Sequence, residues 1–197
     1  MRYPNGKEFQ PTDSKDNKKH SARAMLSAGN RGMALEDDIN QANDYYREKG
    51  ICLITKRPTP INVVKVDYSH GAIITNAYFE KQSTTDYNGV YQGKYIDFEA
   101  KNTKQKTSFP LANIPPQQID HLKQVIYHNG IAFFIIRFEM LGRVFLIDAQ
   151  YVIDFYEKSE RKSLPFNIIE KEGVEIQYGL NPRLPYIKAV QDKYFKK

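Results

Sequence analysis

Thr84-Thr85-Asp86-Tyr87-Asn88-Gly89, followed shortly by Tyr95-Ile96-Asp97-Phe98-Glu99-Ala100-Lys101, is the passage that decides the fold. Side chains alternate along a strand with period two. Asp97, Glu99 and Lys101 therefore share one face of the second run, and Ile96, Phe98 and Ala100 share the other. Thr84 and Asp86 point the same way on the first. The spacing predicts two paired strands that turn at Asn88-Gly89, with Gly93 nearby. As neighbours they bring Asp86 and Glu99 to one hard cation. Magnesium suits such a site, because one or two carboxylates, retained waters and substrate phosphate oxygens complete its shell. Lys101 reaches the same place, where an ammonium holds an attacking water or stabilises charge building on a phosphate. The plainer alternative is a solvated strand face. Asp97 reads either as exposed or as a support behind the metal.

Outward from this passage the pattern alternates helices with strands. A helix is expected over 30–49, capped by Asn30 and stopped by Gly50, with Leu35, Ile39, Ala42 and Tyr46 on its buried stripe and Glu36 at the edge of that stripe. Short strands follow at 51–55, 61–66 and 72–79. The last two flank Ser69-His70-Gly71 and read as a hairpin. A polar loop over 102–114 leads to a helix over 115–128, begun by prolines and ended near Asn129-Gly130. Strands are expected at 131–138 and 143–147, a short helix at 149–156, and a terminal helix at 184–195. The order implies an α/β domain, a mixed sheet covered by helices.

With 197 residues, 41% of them hydrophobic, the chain suits one domain and a tail. There is no run of about 18 apolar residues, so no membrane span is expected. No secretory leader is read at the N-terminus, and the single cysteine, Cys52, accords with a reducing cytoplasm. The net charge is +6, and the excess lies at the ends. Residues 1–31 hold seven Lys and Arg, and 179–197 hold five. Such ends suit a polyanion, since cations displace counterions from phosphate; solvated tails are the alternative. Residues 1–29, polar and aperiodic, read as a flexible basic arm ahead of a domain over 30–197. Four histidines and one cysteine show no zinc spacing. His121 and His128 read as surface or packing residues. No phosphate-binding glycine loop or serine elbow is present.

Asp86 followed by Glu99-Ala100-Lys101 resembles the PD-(D/E)xK nuclease signature, with Thr85 where the proline would stand. Arg2-Tyr3-Pro4-Asn5-Gly6-Lys7, Asn30-Arg31-Gly32-Met33, Leu35-Glu36-Asp37-Asp38, Pro58-Thr59-Pro60, Ser83 to Gly89, Asp97 to Lys101 and Thr107-Ser108-Phe109-Pro110-Leu111 all resemble RecU, the Holliday junction resolvase family of Gram-positive bacteria. The resemblance spans nearly the whole chain. It implies a restriction-endonuclease-like core, a projecting β-hairpin stalk over about 61–79, and a homodimer. It also implies magnesium, with manganese as substitute, held at Thr84, Asp86, Glu99 and Gln118. Lys101 matches the catalytic lysine and Glu36 a supporting acidic residue of the first helix. The expected activity is resolution of four-way DNA junctions by paired symmetric nicks in recombination and repair. The alternative is a non-catalytic junction-binding protein that modulates the RecA recombinase.

Overall fold

The computed structural model describes residues 35–79 and 84–196. The basic arm expected over 1–29 and the cap expected at Asn30 lie outside them. Helix α1 spans Leu35–Glu48. Its first turn carries Glu36, Asp37 and Asp38, charges that favour a helix N-terminus. Leu35, Ile39, Ala42 and Tyr46 are buried as their spacing predicts. Gly50, at φ +63, supplies the left-handed turn that ends the segment.

Six strands form one mixed sheet in the order β1 (Leu53–Lys56), β4 (Tyr87–Tyr91), β5 (Lys94–Thr103), β7 (Ile131–Phe138), β8 (Arg143–Asp148) and β10 (Val174–Glu175). Every pairing is antiparallel except β5 with β7. A parallel pair needs a long crossover. Here the crossover carries β6 (Ser108–Pro110), a 3-10 turn and helix α2 (Pro116–Tyr127). Helix α3 (Ala149–Lys158), β9 (Ser163–Pro165), helix α4 (Phe166–Glu172) and helix α5 (Tyr186–Tyr194) complete the domain. The expected polar loop over 102–114 thus includes the end of β5 and a short strand, β6, that pairs with β9.

Alternation along the strands sorts the core into two layers. Tyr87, Phe98, Phe133 and Ile135 join the apolar cluster of α1 and α5. Ala132, Phe134, Ile136 and Phe138 join that of α2 and α3. Tyr87, Phe98 and Phe133 are opposite one another across β4, β5 and β7. Their rings stack at centroid separations of 4.9 and 4.7 Å. Cross-strand aromatic pairs fix register, and this stack brings Asp86, one residue before Tyr87, alongside Glu99.

The β4–β5 turn differs from the expectation. Asn88 and Gly89 lie within β4, and the chain reverses at Gln92-Gly93, both at positive φ. Two left-handed residues match the twist of a tight hairpin. Gly89 has another duty: a Cβ there would stand 2.0 Å from the Leu53 carbonyl oxygen, so only glycine lets β1 lie against β4. Replacing Gly89 with Ala is therefore expected to destabilise the fold by roughly 1–3 kcal/mol, the usual cost of overpacking, lowering Tm by several degrees. Thermal unfolding followed by circular dichroism checks this, and an unchanged Tm rejects the close-approach argument.

The hairpin expected over 61–79 is present. Strands β2 (Ile61–Asp67) and β3 (Ile73–Phe79) pair with each other and, among the described residues, with no strand of the six-stranded sheet. Tyr68 at its tip is 75% exposed, and Val64 59%. Apolar residues exposed on both strands mark a projecting ribbon rather than a core element. No helix among the described residues is long and apolar enough to cross a membrane.

Candidate active site

The polar face of β5 is covered by α2, and this sets the site. Asp97 and Glu99 are almost completely buried, at 0% and 2% exposure. The solvated-face reading of these residues is therefore overturned. An ionised carboxylate is not buried without partners, and both have them.

Glu99 gathers the centre. Its Oε1 accepts hydrogen bonds from Lys101 Nζ at 2.6 Å and Gln118 Nε2 at 2.8 Å. Its Oε2 accepts from the Asp86 backbone N–H at 3.0 Å. The Asp86 carboxylate in turn accepts from the Ala100 backbone N–H at 3.3 Å. Strand register, one helix and one tight turn thus bring together Asp86, Glu99, Lys101 and Gln118. Burial raises the Glu99 pKa to about 7, the neighbouring Asp86 charge adds to the rise, and Lys101 opposes it. Gln118 is buried on α2, and among the described residues its Oε1 accepts no hydrogen bond.

Glu36 stands at the rim, ion-paired with Lys56 of β1. The Tyr87 hydroxyl donates to the Glu36 backbone carbonyl at 3.3 Å. Burial and then the charges of Glu36, Asp86, Asp37 and Glu99 push the Tyr87 pKa up, so these acids share one field. Thr84 is half-buried in the segment entering β4 and makes none of the centre's hydrogen bonds.

Asp97 forms a second network that the sequence left ambiguous. Its Oδ2 accepts from Arg57 Nη2 at 2.6 Å, Tyr95 hydroxyl at 2.8 Å and His121 Nε2 at 2.9 Å. Its Oδ1 accepts from the Thr85 hydroxyl. Burial would raise this carboxyl. Hydrogen bonds from His121, Thr85 and Tyr95, with the Arg57 charge, outweigh it and hold the pKa below the ordinary value. Thr85, standing where the nuclease signature has proline, is thereby a strut between β4 and β5. The Arg57 backbone N–H also donates to the Asp86 carbonyl at 2.7 Å. Spacing carried a signal for His121: it follows Gln118 by three positions on a helix, so both occupy one face.

Among the described residues no three His, Cys, Asp or Glu side chains gather as a metal cage. Two carboxylates and an amide oxygen without a hydrogen bond do gather. That donor set fits a hard cation retaining water, not a closed structural site. A cation there would occupy the idle Gln118 Oε1 and stabilise the charged form of Glu99.

The family profile described as "Recombination protein U" matches residues 30–192. The Holliday junction resolvase RecU of Geobacillus kaustophilus (strain HTA426) is 50% identical over 201 residues, covering 99% of this chain and 98% of the relative. The Holliday junction resolvase RecU of Lactiplantibacillus plantarum (strain ATCC BAA-793 / NCIMB 8826 / WCFS1) is 48% identical over 198 residues, covering 96% and 94%. A solved Holliday junction resolvase, Hjc of Archaeoglobus fulgidus, aligns with a TM-score of 0.41 at 11% identity, covering 70% of this chain and 94% of that one.

Proposed function

The chain belongs to the RecU family, and from that premise we propose that it is a magnesium-dependent endonuclease that resolves four-way DNA junctions by paired nicks. The observation that carries the chemistry is the buried Glu99 carboxylate, which accepts from the Asp86 backbone N–H, Lys101 Nζ and Gln118 Nε2, with the Asp86 carboxylate bonded to the next residue's backbone N–H. Asp86, Glu99 and Gln118 are the residues that would hold magnesium, with Thr84 at the entrance and manganese as a substitute. Bound there, the ion neutralises phosphate oxygens and lowers the pKa of water. Lys101 places a positive charge beside the phosphate under attack. Gln118 orients Glu99 by hydrogen bonding, and the Asp97 network keeps β4 and β5 from sliding. Glu36 and Lys56 form the rim.

A four-way junction has approximate two-fold symmetry, so two matched nicks call for two sites related by the same symmetry, as in a C₂ dimer. Phosphate contacts from the basic arm over 1–29 and from the C-terminal helix provide affinity; junction shape provides selectivity. The deciding experiment is a cleavage gel on an immobile junction with and without Mg²⁺, beside light scattering. Paired nicks with metal, and a mass of twice 22.9 kDa, are expected. Junction binding without nicking in Mg²⁺ or Mn²⁺ hands the function to the alternative, a non-catalytic binder that modulates the RecA recombinase.

The exposed hairpin suits entry into the open centre of a junction. Shortening its turn at Ser69-His70-Gly71 is expected to leave a folded protein. Its preference for junction over linear duplex should fall about tenfold, ~1.4 kcal/mol. Loss of the circular dichroism signal would show instead that the ribbon supports the core.

Glu99 makes metal binding depend on pH. Its carboxyl titrates near pH 7 rather than at the ordinary 4.5, and the cation needs the deprotonated form. Mg²⁺ affinity should therefore weaken as pH falls below about 7, approaching tenfold per unit for one proton. Calorimetric titration at pH 6 in two buffers of different ionisation enthalpy should register proton release. A pH-independent affinity rejects Glu99 as a ligand. In the metal-free protein the folded state binds more protons than the unfolded between pH 4.5 and about 7. This group's contribution to stability is thus present below 4.5 and lost as pH rises through about 7.

A further inference from the structure

The polar row that starts at the metal-binding centre continues between β5 and α2 to an open groove. Along the strand, Glu99, Asp97 and Tyr95 step in one direction on one face. Along the helix, Gln118, His121 and Gln124 step the opposite way. Gln118 meets Glu99 and His121 meets Asp97. Beyond them Tyr95, His121, Gln124, Val125, His128 and Gly130 line a groove of about 360 Å³, the size class of small-ligand pockets. Tyr95 and His121 belong both to the groove and to the Asp97 network, so the groove abuts the packed polar row that leads to Glu99.

At ~3.3 Å per residue, Tyr95 lies roughly 13 Å along β5 from Glu99. That is about four steps of a stacked strand at ~3.4 Å each. No Lys or Arg lines the groove itself, and the Arg57 guanidinium behind Tyr95 and His121 is already paired with Asp97. The groove offers instead the Tyr95 ring, 39% exposed, two imidazoles and the valine side chain. The Tyr127 ring, edge-on to His128 at 5.1 Å, backs one wall. Gln124, exposed at the mouth, carries an amide donor beside an amide acceptor, the pairing that reads base edges.

Resting on the junction-cutting reading, we propose that this groove takes an unstacked nucleobase of the strand being cut, a few nucleotides from the scissile phosphate, and sets the base preference of cleavage. Aromatic faces receive any base by stacking, and Gln124 with His128 discriminates among edges. Bases at a branch point leave their stack at lower cost than bases inside a duplex.

The test uses the full chain as wild type, Gln124→Ala, His128→Ala and the double variant. Junctions carry each of the four bases, in turn, at every position within five nucleotides of the cut. Wild type is expected to favour one base at one position by at least fivefold, and the double variant to discriminate less than twofold there. A second readout needs no catalysis: 2-aminopurine at each position, with metal chelated. Its fluorescence should change on binding wild type at that same position and respond less than half as much with the double variant. Retained discrimination in the variants, an equal loss of rate on all four bases, or a wild type indifferent to base at every position overturns the proposal. If wild type cuts no junction, the nuclease reading fails, and the fluorescence readout still decides whether the groove holds a base.

Discussion

Asp86→Asn is expected to slow single-turnover cleavage of a four-way junction by about 1,000-fold, ~4 kcal/mol of lost transition-state stabilisation. The substitution keeps the side chain's size and one oxygen, so the bond from the Ala100 N–H can persist. What disappears is one of two negative charges at the centre. Metal affinity and cleavage should therefore fall together, and junction affinity should hold or rise, since repulsion from phosphate is relieved. A separate signature follows from the electrostatics. The Asp86 charge helps raise the Glu99 pKa, so its removal should move the Glu99 carboxyl titration below about 7. NMR titration of that carboxyl, beside rate and gel-shift measurements on one junction, checks all three. Cleavage at the wild-type rate would remove Asp86 from the site.

Lys101→Ala should slow cleavage by about 100-fold or more, the typical loss for one electrostatic contact in the transition state. Its effect on Glu99 runs the other way. The ammonium, 2.6 Å from Oε1, holds the carboxyl's pKa down. Without it Glu99 should titrate above 7, and the acid limb of the cleavage profile should move to higher pH. At a pH above that raised titration, where Glu99 is again mostly charged, Mg²⁺ should still bind while the rate stays depressed. A rate restored to wild type at that pH would show that Lys101 only tunes Glu99 and takes no part in the reaction. The two variants thus shift one titration in opposite directions, which general damage to the fold would not do.

Much of this site was legible as periodicity. Alternation from Tyr95 to Lys101 alone places Asp97, Glu99 and Lys101 on one face, and pairing of the neighbouring strand brings in Asp86. The position of Gln118 was not legible this way. It depends on how α2 lies over β5, a choice made by Ile119, Leu122 and Val125 packing into the far core layer. The β4–β5 turn was misplaced because Asn-Gly is a strong turn signal in isolation. Here the close approach of Leu53 requires glycine at 89 inside a strand, and Gln92-Gly93 makes the turn instead. Sequence pattern does not reveal most of the Asp97 network, because apart from Tyr95 its partners come from the residue after β1, the β4 entry and α2, and separations of up to 40 residues leave no local pattern. The basic arm has composition but no period, and composition reports charge, not placement.

The β2–β3 ribbon, whose ladder is not shared with the six-stranded sheet, divides the protein into two thermodynamic tiers. A ladder shared with the sheet would open only when the sheet opens; this one can open alone. Backbone amides of 61–67 and 73–79 should exchange with solvent far faster than those of β5 and β7, whose release waits on global unfolding. Substitutions that loosen the ribbon can consequently accumulate without registering in Tm. The part of the molecule proposed to enter the junction is the part whose alteration costs the core least.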